Sequence, residues 1–129
     1  MNRLVSIPQG VFLVLIMTAL PVTASAGSLN TIDGKALETL RADGKPLVLV
    51  DVRDPDEFSA GHIRGAVNIP YDDAKGRIFK ELAPSDRIVF ICHGGPMGDE
   101  LGKLLAAKNY PDVYNLAGGM KKWRGELVR

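Results

Sequence analysis

The sequence predicts an α/β domain: a mainly parallel sheet of about four to five strands, with helices on both faces. Three observations carry this. Two short runs, Leu47–Val52 and Ile88–Ile91, are apolar almost without interruption, the pattern of strands covered on both sides. Segments with helical spacing fall between the strand-like runs. One of these, "GDELGKLLAAKNY", has its apolar positions Leu101, Leu104, Leu105 and Tyr110 at helical spacing.

The elements follow in order. "LNTIDGKALETLRADGKP" reads as a short lead, a helix over Gly34–Arg41, and a turn at Asp43-Gly44. After the strand "LVLVDVR", Asp54 suits an N-cap, Pro55 the first helical position, and Glu57 the returning acid of a capping box. Gly61 is placed to end that helix with a left-handed cap. "AVNI" is a short strand and "DDAKGRIFKEL" a second short helix, stopped by Pro84. "RIVFIC" is a buried strand, "DVYNL" the last strand, and "GGMKKW" a turn into a final short helix.

The first residues read as a targeting segment. Arg3, the apolar run Val11–Leu20 and the Ala-Ser-Ala ending at Ala26 have the layout of a secretory signal peptide. The apolar run is shorter than the roughly 20 residues of a membrane span. Residues 1–26 are therefore expected to be a cleaved leader, and 27–129 one domain in the periplasm or outside the cell, not membrane-bound after cleavage. The formal net charge is +1, and loss of Arg3 makes the mature chain neutral. With no basic block, nucleic acid is not an expected partner.

Cys92 is the sole cysteine. In an oxidising compartment cysteines usually pair, so a single one is a reactive thiol, an intermolecular partner or a small buried hydrophobe. Its position favours reactivity, because ligands of open parallel sheets bind at the carboxyl ends of strands. His93, Gly94, Gly95, Pro96, Met97 and Gly98 follow it. The glycines free the backbone to turn N–H groups inward, and the positive end of the next helix adds to that cradle. Such a loop suits a thiolate, or a persulfide formed on it.

Three blocks, "LVDVRDPDEFSAGHIRGAVNIP", "VFICHGGPMG" and "NLAGGMKKW", stand in order from Leu49 to Trp123. In these the chain resembles a single-domain rhodanese, a thiosulfate sulfurtransferase-like protein. The resemblance implies a rhodanese-like fold and a two-step exchange. Cys92 is the implied catalytic nucleophile: it takes a sulfur from a small donor (thiosulfate, a persulfide or a polysulfide), holds it as a persulfide, and yields it to a thiol or cyanide acceptor. His93, Gly94, Gly95, Pro96, Met97 and Gly98 are the implied substrate-binding loop. No cofactor and no metal are implied.

Phosphatase relatives of the family close a longer loop with an arginine, where this chain has Gly98. The loop also departs from the common sulfurtransferase pattern. Met97 stands where many members carry a basic or hydroxyl residue, and Pro96 lacks an N–H. His93 is the one loop residue able to carry charge, so a less charged or more apolar donor is expected to be better served than thiosulfate. Two alternatives stand beside the enzyme: a non-catalytic sulfur carrier or protein-binding module docking to a redox or sulfur-relay partner, and a thiol-exchange sensor. Of the remaining residues, Arg53 and Glu57 are expected to form an ion pair. Asp51 is read as a hydrogen-bonded structural carboxylate, His62 as a brace for the following turn, and Phe58 and Trp123 as core.

Overall fold

The two apolar runs lie at the centre of the sheet. In the computed structural model, which describes residues 19–21 and 27–129, they form β2 (Val48–Asp51) and β5 (Ile88–Ile91), paired in parallel from Val48↔Ile88 to Asp51↔Ile91. β6 (Val113–Leu116) lies on the other side of β5, and β4 (Val67–Asn68) beyond β2. The far edge is β1 (Leu29–Ile32), giving a five-stranded sheet in the order β1-β6-β5-β2-β4. Every pairing in it is parallel, so Asp51, Ile91 and Leu116 end at one edge.

The expected architecture is therefore present, with one strand the sequence reading took for a lead. β1 carries Asn30 and Thr31 exposed at the sheet edge, so it lacks the apolar run that marks β2 and β5. A separate two-stranded antiparallel ribbon joins β3 (His62–Ile63) to β7 (Leu127–Val128). The expected leader falls outside the described residues, apart from 19–21.

Side chains alternate across the sheet and divide the core in two. Val50, Phe90 and Val113 face α3 (Tyr71–Glu81) and α4 (Pro96–Ala107), meeting Ile78, Leu101 and Leu105. Leu49, Val89 and Ile91 face the other way, onto Leu37 of α1 (Gly34–Ala42) and onto Trp123. Trp123, after α5 (Gly119–Lys122), is core as expected. Phe58 is not. It sits half-buried on α2 (Pro55–Ala60), a helix with no buried residue, and stacks on the His62 ring at 3.8 Å between centroids.

Local signals held well at α2. The Asp54 amide donates to Glu57 Oε2 at 3.4 Å, and Pro55 opens the helix. Gly61, however, is extended at φ 165, a conformation open to any residue, so it is no left-handed cap. At the amino edge of the sheet, Arg87 donates to Asp43 at 2.5 and 2.9 Å and to the Leu40, Lys45 and Pro46 carbonyls. The guanidinium holds the Asp43 carboxyl well below the usual carboxylate range and ties the end of α1 to the start of β5.

Candidate active site

β5 stops at Ile91 and α4 starts at Pro96, so Cys92, His93, Gly94 and Gly95 make the whole turn between them. The expected loop ran on to Gly98. Pro96 instead takes the first helical position, where its missing N–H leaves nothing unsatisfied, and Met97 and Gly98 belong to the first turn of α4. Gly95 adopts φ 120 and ψ −39, a backbone state that favours glycine. So turned, its N–H donates to Cys92 Sγ at 2.8 Å. This is the inward amide the sequence led us to expect, aimed at the sulfur from one residue rather than from a ring of them.

The thiol is not open to solvent. Cys92 is 0% exposed and belongs to the core cluster beneath α3 and α4, with half-buried Met97 packed against that cluster. It shares the inward face of Phe90, two positions earlier on the same run.

A second segment clamps the turn from outside. Gly118 and Gly119 take φ 70 and 53, which brings the start of α5 onto the loop. Met120 N–H donates to the Cys92 carbonyl at 2.8 Å and Lys121 N–H to the His93 carbonyl at 3.0 Å. A Cβ at Gly119 would lie 2.2 Å from the Cys92 oxygen and 2.8 Å from the His93 carbonyl. That contact is backbone on backbone, so no side-chain shift relieves it. Gly119→Ala is therefore expected to displace the loop and slow reactions at Cys92 by about a hundredfold, as a misplacement of about 1 Å does. Stopped-flow reaction with a polysulfide donor measures this, and a wild-type rate would rule out the clamp.

This arrangement, a cysteine at the carboxyl end of a central parallel strand with an amide on its sulfur, coincides with a known domain. A profile of the rhodanese-like domain matches residues 33–126. The chain belongs to the rhodanese-like domain family. The Bacillus subtilis protein YqhL is 37% identical over 91 residues, which cover 70% of this chain and 71% of that protein. Thiosulfate sulfurtransferase GlpE of Pseudomonas putida is 32% identical over 90 residues, covering 70% of this chain and 79% of GlpE. A Bacillus subtilis protein named putative sulfur carrier protein YrkF is 29% identical over 102 residues, 79% of this chain but 55% of its own length. Among solved structures, a rhodanese-like domain protein from Staphylococcus aureus superposes with a TM-score of 0.68 at 28% identity, covering 77% of this chain and 96% of that one.

Beside the loop of this rhodanese-like domain lies a cleft of about 370 Å³, lined in part by His93, Arg53, Glu57, Met120, Lys121 and Leu127. Of the loop residues expected to bind substrate, His93 reaches it and is also exposed. Gly94 is half-buried, Pro96 is exposed at the head of α4, Met97 faces the core, and Gly98 is buried against Asn115. Met97 is thus not a wall of this cleft: the first turn of α4 rotates it onto the core. Sequence reasoning missed Lys121, which lines the cleft from a segment distant in the chain.

The expected Arg53–Glu57 pair is absent. Arg53 Nε and Nη2 donate to both oxygens of Asp51 at 2.8–3.1 Å, and Nη2 also donates to the Gly61 carbonyl at 2.8 Å. Both partners are buried, so the guanidinium is already committed and Glu57 serves the α2 cap instead. Asp51 is the hydrogen-bonded structural carboxylate it was read to be. His62 Nδ1 lies 2.9 Å from the Phe58 carbonyl, so it braces the end of α2 before it and not the turn after it that it was expected to hold. Among the described residues, no three or more His, Cys, Asp or Glu side chains gather where they could hold a metal ion.

Proposed function

We propose that this rhodanese-like protein is a sulfurtransferase that carries sulfane sulfur on Cys92. The observation that carries the reading is the Gly95 N–H donating to Cys92 Sγ at 2.8 Å from a turn backed by a helix start, since such donors stabilise negative charge on sulfur. The name of the GlpE relative, thiosulfate sulfurtransferase, supports it. In the first step the Cys92 sulfur, its proton released to solvent, attacks the outer sulfur of the donor. The donor's S–S bond breaks, and sulfite or a thiolate departs with the electron pair. In the second step a nucleophilic acceptor takes that outer sulfur, the bond to Cys92 breaks, and the thiolate returns. Neither step consumes an oxidant or reductant.

Because the sulfur is covered, the donor reaches it only when the turn yields, and we place its approach at the cleft that His93 lines. That cleft holds Lys121, Glu57 and Arg53 on its walls, and the Arg53 charge is already met by Asp51, so a doubly charged anion gains little there. A persulfide or polysulfide is therefore the donor class we favour over thiosulfate. The leader-like residues 1–26 support action in the periplasm or outside the cell.

Intact-mass measurement after incubation with thiosulfate or polysulfide tests the reading. A gain of one sulfur atom, faster with polysulfide and lost when the thiol is first alkylated, is the expected result. A strong preference for thiosulfate would remove the donor assignment, and no gain with either would remove the transfer chemistry. The burial of Cys92 and the name of YrkF favour a second reading, a sulfur carrier. Loading without release to cyanide would select it.

A further inference from the structure

One buried polar side chain beside this site has no explanation in the packing. Asn115 lies within β6, is 4% exposed, and pairs in register with Phe90 of β5. Val113 and Phe90 on the same face are apolar core. Asn115 Nδ2 donates to the Gly95 carbonyl at 3.0 Å, while Oδ1 is buried and has no hydrogen-bond partner among the described residues. The Gly95 carbonyl already accepts the Asp99 N–H at 3.0 Å, the first bond of α4. It would therefore be satisfied without Asn115. A buried acceptor lacking a donor is destabilising, and an apolar β-former would fill the same face without that cost. Stability does not account for an asparagine here.

The helix is shaped around it all the same. A Cβ at Gly98 would lie 2.2 Å from Asn115 Oδ1, so the first turn of α4 presents bare backbone where the amide stands. What the amide holds is the residue whose N–H meets the sulfur. Glycine has the widest conformational range of any residue, and Gly95 is anchored at both ends: its carbonyl by Asn115 and its N–H on Cys92 Sγ.

We propose that Asn115 is a positioning residue: by holding the Gly95 carbonyl it keeps the Gly95 N–H aimed at the Cys92 sulfur. The geometric part of this stands apart from the sulfur-transfer reading, and only its effect on turnover rests on that reading.

The test uses the full chain with Asn115→Val, and Asn115→Ala as a second variant that cannot overfill the site. The expected results are an unfolding midpoint at or above that of wild type, and a Gly95 amide that exchanges with solvent about fivefold faster, the factor matching a net hydrogen bond of about 1 kcal/mol. Amides of α1 and α3 should keep their rates. Transfer of sulfur from polysulfide to cyanide should show kcat lowered by a similar factor, with KM for the donor unchanged. A Gly95 exchange rate equal to wild type would overturn the proposal. So would a lowered midpoint with all amides exchanging faster in both variants, which would make Asn115 a structural residue only. If wild type shows no turnover, the sulfur-transfer reading fails while the exchange measurement still decides the role of Asn115.

Discussion

In Cys92→Ser the gain of one sulfur atom should vanish and transfer to cyanide should fall by at least about a thousandfold, the scale on which removal of a covalent nucleophile acts. The unfolding midpoint should stay near that of wild type. The two halves of this expectation have separate causes. A serine oxygen cannot hold the transferred sulfur as a persulfide, so the covalent step has no counterpart. The fold, by contrast, loses little. The side chain at this position is 0% exposed, and a hydroxyl there keeps the Gly95 N–H, now 2.8 Å from Sγ, as its partner, so no buried polar group is left alone. Intact mass and thermal unfolding on one preparation measure both. A serine variant that still gains sulfur would move the chemistry off residue 92. One that unfolds would make the cysteine a structural thiol.

How far such a site can be read from residues alone depends on the range of the contacts that build it. Short-range signals carried through: the apolar runs of β2 and β5, Asp54 and Pro55 opening α2, and a cysteine at the end of a strand followed by glycines. Each is settled by neighbours within one turn or one strand. The burial of Cys92 was not legible, because it depends on a core cluster drawn from segments remote in the chain, onto which Met97 also turns once Pro96 begins α4 early. Pro96 itself was the available clue, as proline favours the first helical position. The clamp by Met120 and Lys121 and the anchor at Asn115 join segments remote in the chain, and no periodicity encodes them. β1 went unread because an edge strand with two exposed polar residues shows no apolar run. The Arg53 assignment failed for another reason. Arg53 and Glu57 stand four apart across the start of α2, but Arg53 follows the end of β2 and reaches Asp51, two positions back on the same side of the extended chain.

The pair that Arg53 does form, with Asp51, is where the largest loss of stability is expected. Arg53→Met should lower the free energy of unfolding by about 3–5 kcal/mol, the cost of removing one partner of a buried ion pair. A domain of this size has about 5–15 kcal/mol in all, so the variant should unfold at much lower urea. The reason lies in what is left behind. Asp51 is 0% exposed and Arg53 7%, and without the guanidinium the carboxylate keeps only the residue-53 backbone amide, at 3.0 Å. The Gly61 carbonyl also loses its donor. The Asn68 side chain, which donates to the Asp51 and Arg53 carbonyls at 2.9 Å, leaves the Asp51 carboxylate without help. Replacing both members should behave differently. In Asp51→Leu with Arg53→Met no charge remains buried, and most of the loss should be recovered. Urea unfolding of the two single variants and the double one closes the cycle. Single variants no less stable than the double would mean that the carboxylate finds water or another donor, and that the pair does not hold the end of β2 against α2.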